Sequence, residues 1–278
     1  MFWGKPILQV EPTTACNLNC EICMRSWLKR PNGFMSTEGF RRLVDLNRPA
    51  YVGFHGWGEP LLHNQICEMI AYAASRHATT SLITNGTLID EGKASKLIDA
   101  GLKELAFGVY RLSRLQEISD KIALIVKLKQ KLRVKHPKIF LDITVYRDNA
   151  GEIPHIVREA VKMGVEAVNI HRLFNHHNPK FKVLDEGEEE TLFRRLKSLA
   201  DSMEFDLLLP KRHSIPCRVA KYCIYVTWDF KVTPCCFLPT LNLANALETK
   251  ISSIVKSKAY REFLANMSRH EVCRKCII

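Results

Sequence analysis

Short apolar, β-branched runs alternate with longer segments whose apolar positions recur every three or four residues along most of the chain. The runs at 6–11, 50–55, 79–84, 103–109, 139–146, 165–172 and 204–209 read as strands, and the segments between them as amphipathic helices. The clearest helix is 188–203, where Leu192, Phe193, Leu196, Leu199, Ala200 and Met203 form one stripe. Ile156, Val157, Ala160 and Val161 form another in the preceding unit. Asn85-Gly86 marks a turn after the third strand, Gly101 and Gly164 follow helices, and Asp90 is placed to cap one. About six β-α units result, the pattern of an α/β protein with a parallel sheet. Past Pro210 the pattern changes to two short strand-like runs, a cysteine pair, one helix near 252–267 and a terminal Cys-x-x-Cys. A domain boundary is therefore expected between residues 1–210 and 211–278.

Composition narrows the class. With 46% hydrophobic and 25% charged residues among 278, the chain is not disordered, collagen-like or a coiled coil. No run of about 18 apolar residues occurs and the N-terminus lacks the features of a secretory signal, so a cytoplasmic protein without a membrane span is expected. In a reducing compartment, ten cysteines point to metal or cluster ligands before disulfides. The 41 Lys+Arg against 29 Asp+Glu leave a net charge of +12. The densest basic stretch, 127–138, has helical spacing and reads as a solvated helix face before a nucleic-acid groove. An acidic electron-transfer partner or an anionic substrate suits the charge equally well.

Cys16, Cys20 and Cys23 stand as C-x-x-x-C-x-x-C just after the first strand, and loops at the carboxyl ends of parallel strands are where such sheets build their sites. Three thiolates are one fewer than a structural zinc or an ordinary four-iron cluster uses. A four-iron cluster held by three cysteines keeps one iron open to a chelating ligand; the competing arrangement is zinc completed by His55 or Cys67. The run Glu11-Pro-Thr-Thr-Ala-Cys16-Asn-Leu-Asn-Cys20-Glu-Ile-Cys23 resembles the signature of radical S-adenosylmethionine (radical SAM) enzymes. That resemblance implies a partial (β/α)6 TIM-like barrel and a four-iron four-sulfur cluster whose open iron is chelated by S-adenosylmethionine. It also implies reductive cleavage to methionine and a 5′-deoxyadenosyl radical that takes hydrogen from substrate. The electron would come from a flavodoxin- or ferredoxin-type donor.

Further motifs of the same family follow in order. His55-Gly56-Trp57-Gly58-Glu59-Pro60 is similar to its glycine-rich loop: Gly56 and Gly58 would let the main chain approach the ligand's ammonium, and Glu59 would orient the strand edge or bind that ammonium itself. Trp57 stands where another glycine is common. Asn85, in Ile83-Thr84-Asn85-Gly86, is implied to lie near the cofactor. Gly108-Val109-Tyr110 replaces a frequent Ser-x-Asp, so ribose or sulfonium contacts do not carry over to Gly108. Asp148-Asn149 also looks like a family position. His171 and Arg172 are expected at the same rim as substrate or carboxylate contacts, and His55, Tyr110 and His171 are the candidate bases.

The run from Cys217 through Cys235-Cys236 to Cys273-Arg-Lys-Cys276 resembles the auxiliary-cluster domain called SPASM, or its shortened twitch form, with Phe230 where relatives have Gly. One auxiliary four-iron cluster is expected, because the sequence ends two residues after Cys276 whereas the full form continues its cysteine series. Its ligands would be Cys217, Cys235, Cys273 and Cys276, with Cys223 and Cys236 as competitors and tetrahedral zinc as the competing metal. Cys67 reads as an inert core thiol. A cluster with four cysteine ligands acts by electron transfer, and an electron acceptor beside a substrate radical implies net oxidation. The expected enzyme is an oxidoreductase that dehydrogenates, or closes a bond in, a small-molecule, peptide or cofactor-precursor substrate. The few residues ahead of the first strand tilt this towards a small molecule or another protein's active site. Modification of tRNA or of a peptide is the alternative, and a zinc-binding interaction module the remote one.

Overall fold

A computed structural model describes residues 5–278. All seven expected strands form: β1 (Ile7–Val10), β2 (Tyr51–Phe54), β3 (Thr79–Thr84), β4 (Glu104–Val109), β5 (Lys138–Val145), β6 (Ala167–Arg172) and β7 (Asp206–Leu208). They lie side by side in chain order, each parallel to the next. Helices α1 (Thr37–Asn47), α2 (Ile66–Ser75), α3 (Glu91–Asp99), α4 (Leu112–Glu117), α5 (Ser119–Leu132), α6 (Ile153–Lys162) and α7 (Glu186–Ser202) fill the crossovers. β7 pairs only with β6, so the sheet stays unclosed, as a partial TIM-like barrel does.

Side-chain alternation sorts the two faces. On β5, Ile139, Leu141, Ile143 and Val145 are buried in the main core with Ile156, Val157 and Ala160 of α6, which leaves Phe140, Asp142 and Thr144 for the inner face. Helix starts and stops follow local chemistry. Asp90 caps α3 by accepting from the Lys93 amide, and Asp185 caps α7 through a reciprocal pair with Glu188. Gly101 and Gly164, both at φ +78°, end α3 and α6 in the left-handed conformation.

The C-terminal segment departs from the expected layout. It contributes α8 (Arg218–Tyr222), β8 (Cys223–Val226), β9 (Lys231–Thr233), β10 (Ala244–Asn245), α9 (Ile251–Ile254) and α10 (Lys258–Ala265), so the single helix expected at 252–267 is two. β8 does not found a separate sheet. It pairs in parallel with β1, Ile7 opposite Cys223 and Val10 opposite Val226, and the β8–β9 hairpin extends one continuous ten-stranded sheet. Ile224, Val226, Phe230, Val232 and Ile254 belong to the main core; a smaller core gathers Phe174, Ala220, Leu238, Met267, Val272 and Cys273. Phe230 adopts a left-handed backbone that favours glycine, at φ +62°, while its ring is buried against Gly39, where an added Cβ would fall 2.3 Å from the ring.

The loop after β1 is closed by a neck. Thr13 donates its hydroxyl to the Gly33 carbonyl at 2.6 Å, Thr14 donates its own to Pro31 at 2.8 Å, and the Met35 amide donates to Pro12 at 2.8 Å. Beneath them Glu11, fully buried, takes a two-pronged hydrogen bond from Arg30 at 2.9 and 2.6 Å. Residues between Thr14 and Arg30 are thus presented as one loop above the carboxyl end of the sheet.

Arg30→Met strands the Glu11 charge in the interior and should cost about 3–5 kcal/mol, measured as a fall in the denaturation midpoint of anaerobic protein. Phe230→Gly relieves about 1 kcal/mol of backbone strain but forfeits about 3–5 kcal/mol of ring packing, so it should destabilise by about 2 kcal/mol or more; unchanged or raised stability would contradict the ring's role.

Candidate active site

The Cys16, Cys20 and Cys23 thiols all belong to the loop above the neck. Burial raises the pKa of Cys16 and Cys23, and the neighbouring thiols add to the rise in both. Main-chain amides of Leu18 and Arg25 approach the sulfurs of Cys16 and Cys23, each at 3.4 Å, the type of hydrogen bond that steadies a cluster-bound thiolate. No fourth cysteine joins them, so the donor set suits a four-iron cluster with one open iron.

The loop after β2 closes onto this group. Gly58 has no room for a side chain: a Cβ there would lie 2.2 Å from the Thr13 carbonyl oxygen and 2.6 Å from that of Ala15, and the Glu59 amide donates to Ala15 at 2.8 Å. At Gly56 a Cβ would meet Glu11 at 2.6 Å and the Tyr225 hydroxyl at 2.7 Å. Glu59 ties the strand edges together. Its buried carboxylate accepts from the Thr84 hydroxyl at 2.7 Å, the Asn85 amide at 2.7 Å and the Leu61 amide at 3.0 Å, so it fastens the β2 and β3 exits to each other. Burial raises its pKa, opposed by those hydrogen bonds. Asn85 in turn donates to the Asn17 side chain at 2.9 Å, with the Cys16 sulfur 4.0 Å away. Trp57, in place of a further glycine, donates its indole N–H to the Cys236 carbonyl at 2.7 Å and stands edge-on to Phe237.

The inner face of the barrel carries polar groups absent from the motif reading. The Gln9 amide donates to Nδ1 of His55 at 3.0 Å. Across the lumen His171 Nε2 lies 3.2 Å from Oδ1 of the nearly buried Asp142, and His171 is itself 45% exposed. Burial pulls His55 down to about 4, which makes it a neutral imidazole. Partial burial also works against charge on His171, but the Asp142 carboxylate outweighs it and raises the pKa; Asp142 is held low by the same contact. Tyr110 lies beside Cys20, and burial followed by that thiol pushes its phenol up to about 12, which suits a hydrogen-bond donor better than a base. Asn149 is fully buried and donates to the carbonyls of Tyr110 and Thr144 at 2.6 and 2.8 Å, a structural clamp.

Arg172 requires a correction. All five of its N–H donors are engaged: two on Glu189, at 2.6 and 2.7 Å, and the others on the carbonyls of Lys211 at 2.8 Å, Ile277 at 3.2 Å and Pro210 at 3.4 Å. No donor remains for a substrate or cofactor carboxylate. A strand-end arginine reads alike in sequence whether its partners lie in a ligand or in a distant segment of chain.

Behind the barrel edge, Cys217, Cys235, Cys273 and Cys276 line one apolar recess with Phe174 and Phe237. Burial raises Cys235, Cys273 and Cys276, and nearby thiols of the same group contribute in each. Cys223 and Cys236 face elsewhere. Cys236 sits by Gln9, Cys223 and Glu11, pushed up to about 12 chiefly by burial. The four-thiol recess offers a complete ligand set without an open position. Among the described residues no three His, Cys, Asp or Glu side chains converge on a site for a single ion. Cys67, half-buried on α2, packs against the main core as expected.

Two family models match the chain. The radical SAM superfamily matches residues 10–136, and an iron-sulfur cluster-binding domain, SPASM, matches residues 217–277. A tungsten-containing aldehyde ferredoxin oxidoreductase cofactor-modifying protein of Pyrococcus furiosus is 25% identical over 60% of this chain and 51% of its own length. A PqqA peptide cyclase of Granulibacter bethesdensis is 29% identical over 59% and 46%. The chain thus spans about half the length of these curated relatives. Among solved structures, Streptococcus suis SuiB bound to S-adenosylmethionine has a TM-score of 0.78 at 15% identity, covering 98% of this chain and 71% of SuiB. The same protein bound to precursor peptide SuiA also scores 0.78, at 14% identity, covering 94% and 67%. No described helix is long and apolar enough to cross a membrane. The protein is a member of the radical SAM superfamily whose barrel continues into a SPASM iron-sulfur domain.

Proposed function

We propose that this enzyme removes a hydrogen atom from a peptide substrate and completes a net oxidation of it. The observation that carries this reading is the sorting of thiols into an open group of three at the barrel mouth and a closed group of four beside it. As a radical SAM protein with a SPASM domain, the chain takes a four-iron four-sulfur cluster, S-adenosylmethionine and an auxiliary cluster. Bound there, they supply reductive cleavage of S-adenosylmethionine, hydrogen abstraction, and an acceptor for the substrate's remaining electron. Cys16, Cys20 and Cys23 hold the first cluster; Cys217, Cys235, Cys273 and Cys276 hold the second.

The chain's own residues then have distinct tasks. Gly56 and Gly58 seat the glycine-rich loop against Glu11 and the start of the cysteine loop, where its main chain would meet the cofactor's methionine end, and Glu59 fastens Asn85 next to it. Trp57 roofs the lumen on the side of Phe237 and keeps water from the reacting carbon. His171, oriented by Asp142 and half open to the lumen, takes the proton that leaves as the substrate is oxidised. His55 stays neutral and shapes the floor with Gln9. A peptide fits better than a small molecule because PqqA peptide cyclase is among the relatives and SuiB, with the same fold, has been seen with its precursor peptide. A ferredoxin- or flavodoxin-type protein donates the electron that starts the reaction.

Reconstituted enzyme should contain about eight irons per chain, and Cys276→Ala about four. That variant should still release 5′-deoxyadenosine with dithionite and S-adenosylmethionine, whereas Cys20→Ala should release none; release by Cys20→Ala would sink the assignment. In Asp142→Asn the pKa of His171, followed by NMR of histidine-labelled protein, should move downward, because the carboxylate that raises it is gone.

A further inference from the structure

A groove of about 210 Å³ opens at the edge of the barrel, between the end of β6, the segment 210–214 and the start of α8. It is lined by His171, of the inner barrel face, and by Cys217, of the four-thiol recess. The lining is rich in cations, and their partners separate the spent from the free. Arg172 is saturated by Glu189 and three carbonyls, His171 stands on Asp142, and Arg212 is paired with Glu186. His213 is turned to the Ile278 carbonyl at 2.8 Å. Lys211 and Arg218 form no ion pair among the described residues, and both are exposed. The main-chain end at Ile278 lies in the same lining and is taken up by His213, while Lys211 and Arg218 at the mouth pair with no carboxylate among the described residues.

We infer that this groove binds an acidic segment of the substrate peptide, through Lys211 and Arg218, and so feeds the neighbouring residue past His171 into the lumen. The inference rests on the peptide reading above and adds the charge of the ligand. Shape separates this occupant from an acidic electron-transfer protein. A folded partner covers about 800 Å² of each surface, whereas a narrow concavity leading inward admits an extended strand with its side chains. The lining also holds His171 and no residue of the Cys16–Cys23 loop, where the initiating electron must arrive.

The test uses anaerobic holoenzyme and fluorescence anisotropy of a fluorescein-labelled Glu-Gly octapeptide, with a Gln-Gly octapeptide of equal length as control. The acidic probe should bind about tenfold tighter than the neutral one at low salt, and the difference should shrink at about 0.3 M salt. Lys211→Glu with Arg218→Glu should abolish the preference while keeping wild-type iron content and circular dichroism. Lys127→Glu with Lys131→Glu, on the distant basic helix, should retain it. Equal binding of the two peptides by wild type overturns the inference, as does equal loss in both double variants, which would mark unspecific attraction to a cationic protein. If the groove variant instead slows reduction by flavodoxin and binds the acidic probe as wild type does, the surface belongs to an electron donor and the inference fails. Wild-type release of 5′-deoxyadenosine is measured in parallel, so failure of the radical chemistry is told apart from failure of the groove.

Discussion

The buried pair of Glu11 and Arg30 is the constraint on which the active site depends. A loop carrying three cysteines close together buries Met24 and packs Ile22, but has no regular secondary structure to fix its base. Two hydrogen bonds from one guanidinium to one buried carboxylate close it at the base. The same carboxylate oxygen also accepts from the Trp57 amide at 3.3 Å, so the cysteine loop and the glycine-rich loop share an anchor. Thr13 and Thr14 then zip the neck above it. The arrangement places rigidity below the cysteines and leaves the loop tip to adapt to what it holds.

The sheet was legible in the sequence because its strands are buried on the helix side by β-branched residues in alternation, and its helices carry full apolar stripes. The cysteine groups were legible because their ligand spacing is local. What escaped is non-local. Arg30 carries no motif and acquires its role only when β1 and the returning chain meet. Asp142 and Gln9 look like ordinary polar strand residues until the sheet curves and turns them inward. Arg172 misled in the opposite sense, since a charged strand end beside a functional rim suggests a ligand contact and its partners lie 17, 38, 39 and 105 residues away.

The change in pattern past Pro210 marks a change of chemistry more than of packing. The chain leaves the barrel, builds α8, and returns to lay β8 against β1, so that Ile224, Val226, Phe230, Val232, Ile251, Ile254 and Tyr260 share the barrel's core while Leu238, Met267 and Val272 form a second core at the thiol-rich recess. The phenylalanine at the hairpin turn fits this picture. A side chain that would be a burden in a free hairpin becomes a packing element where the hairpin is pressed onto α1, and Gly39 supplies the space for it.

The register of β8 on β1 has a consequence for the movement of charge. The loop bearing Cys16 follows β1, and Cys235 follows β9, which runs antiparallel to β8, the hydrogen-bonded neighbour of β1. Both thiol groups are thereby mounted on one backbone ladder, which neither stretches nor pivots as a linker between tethered modules would. Clusters held there would keep a fixed gap for electron tunnelling, whose rate decays steeply with distance, while substrate enters and leaves.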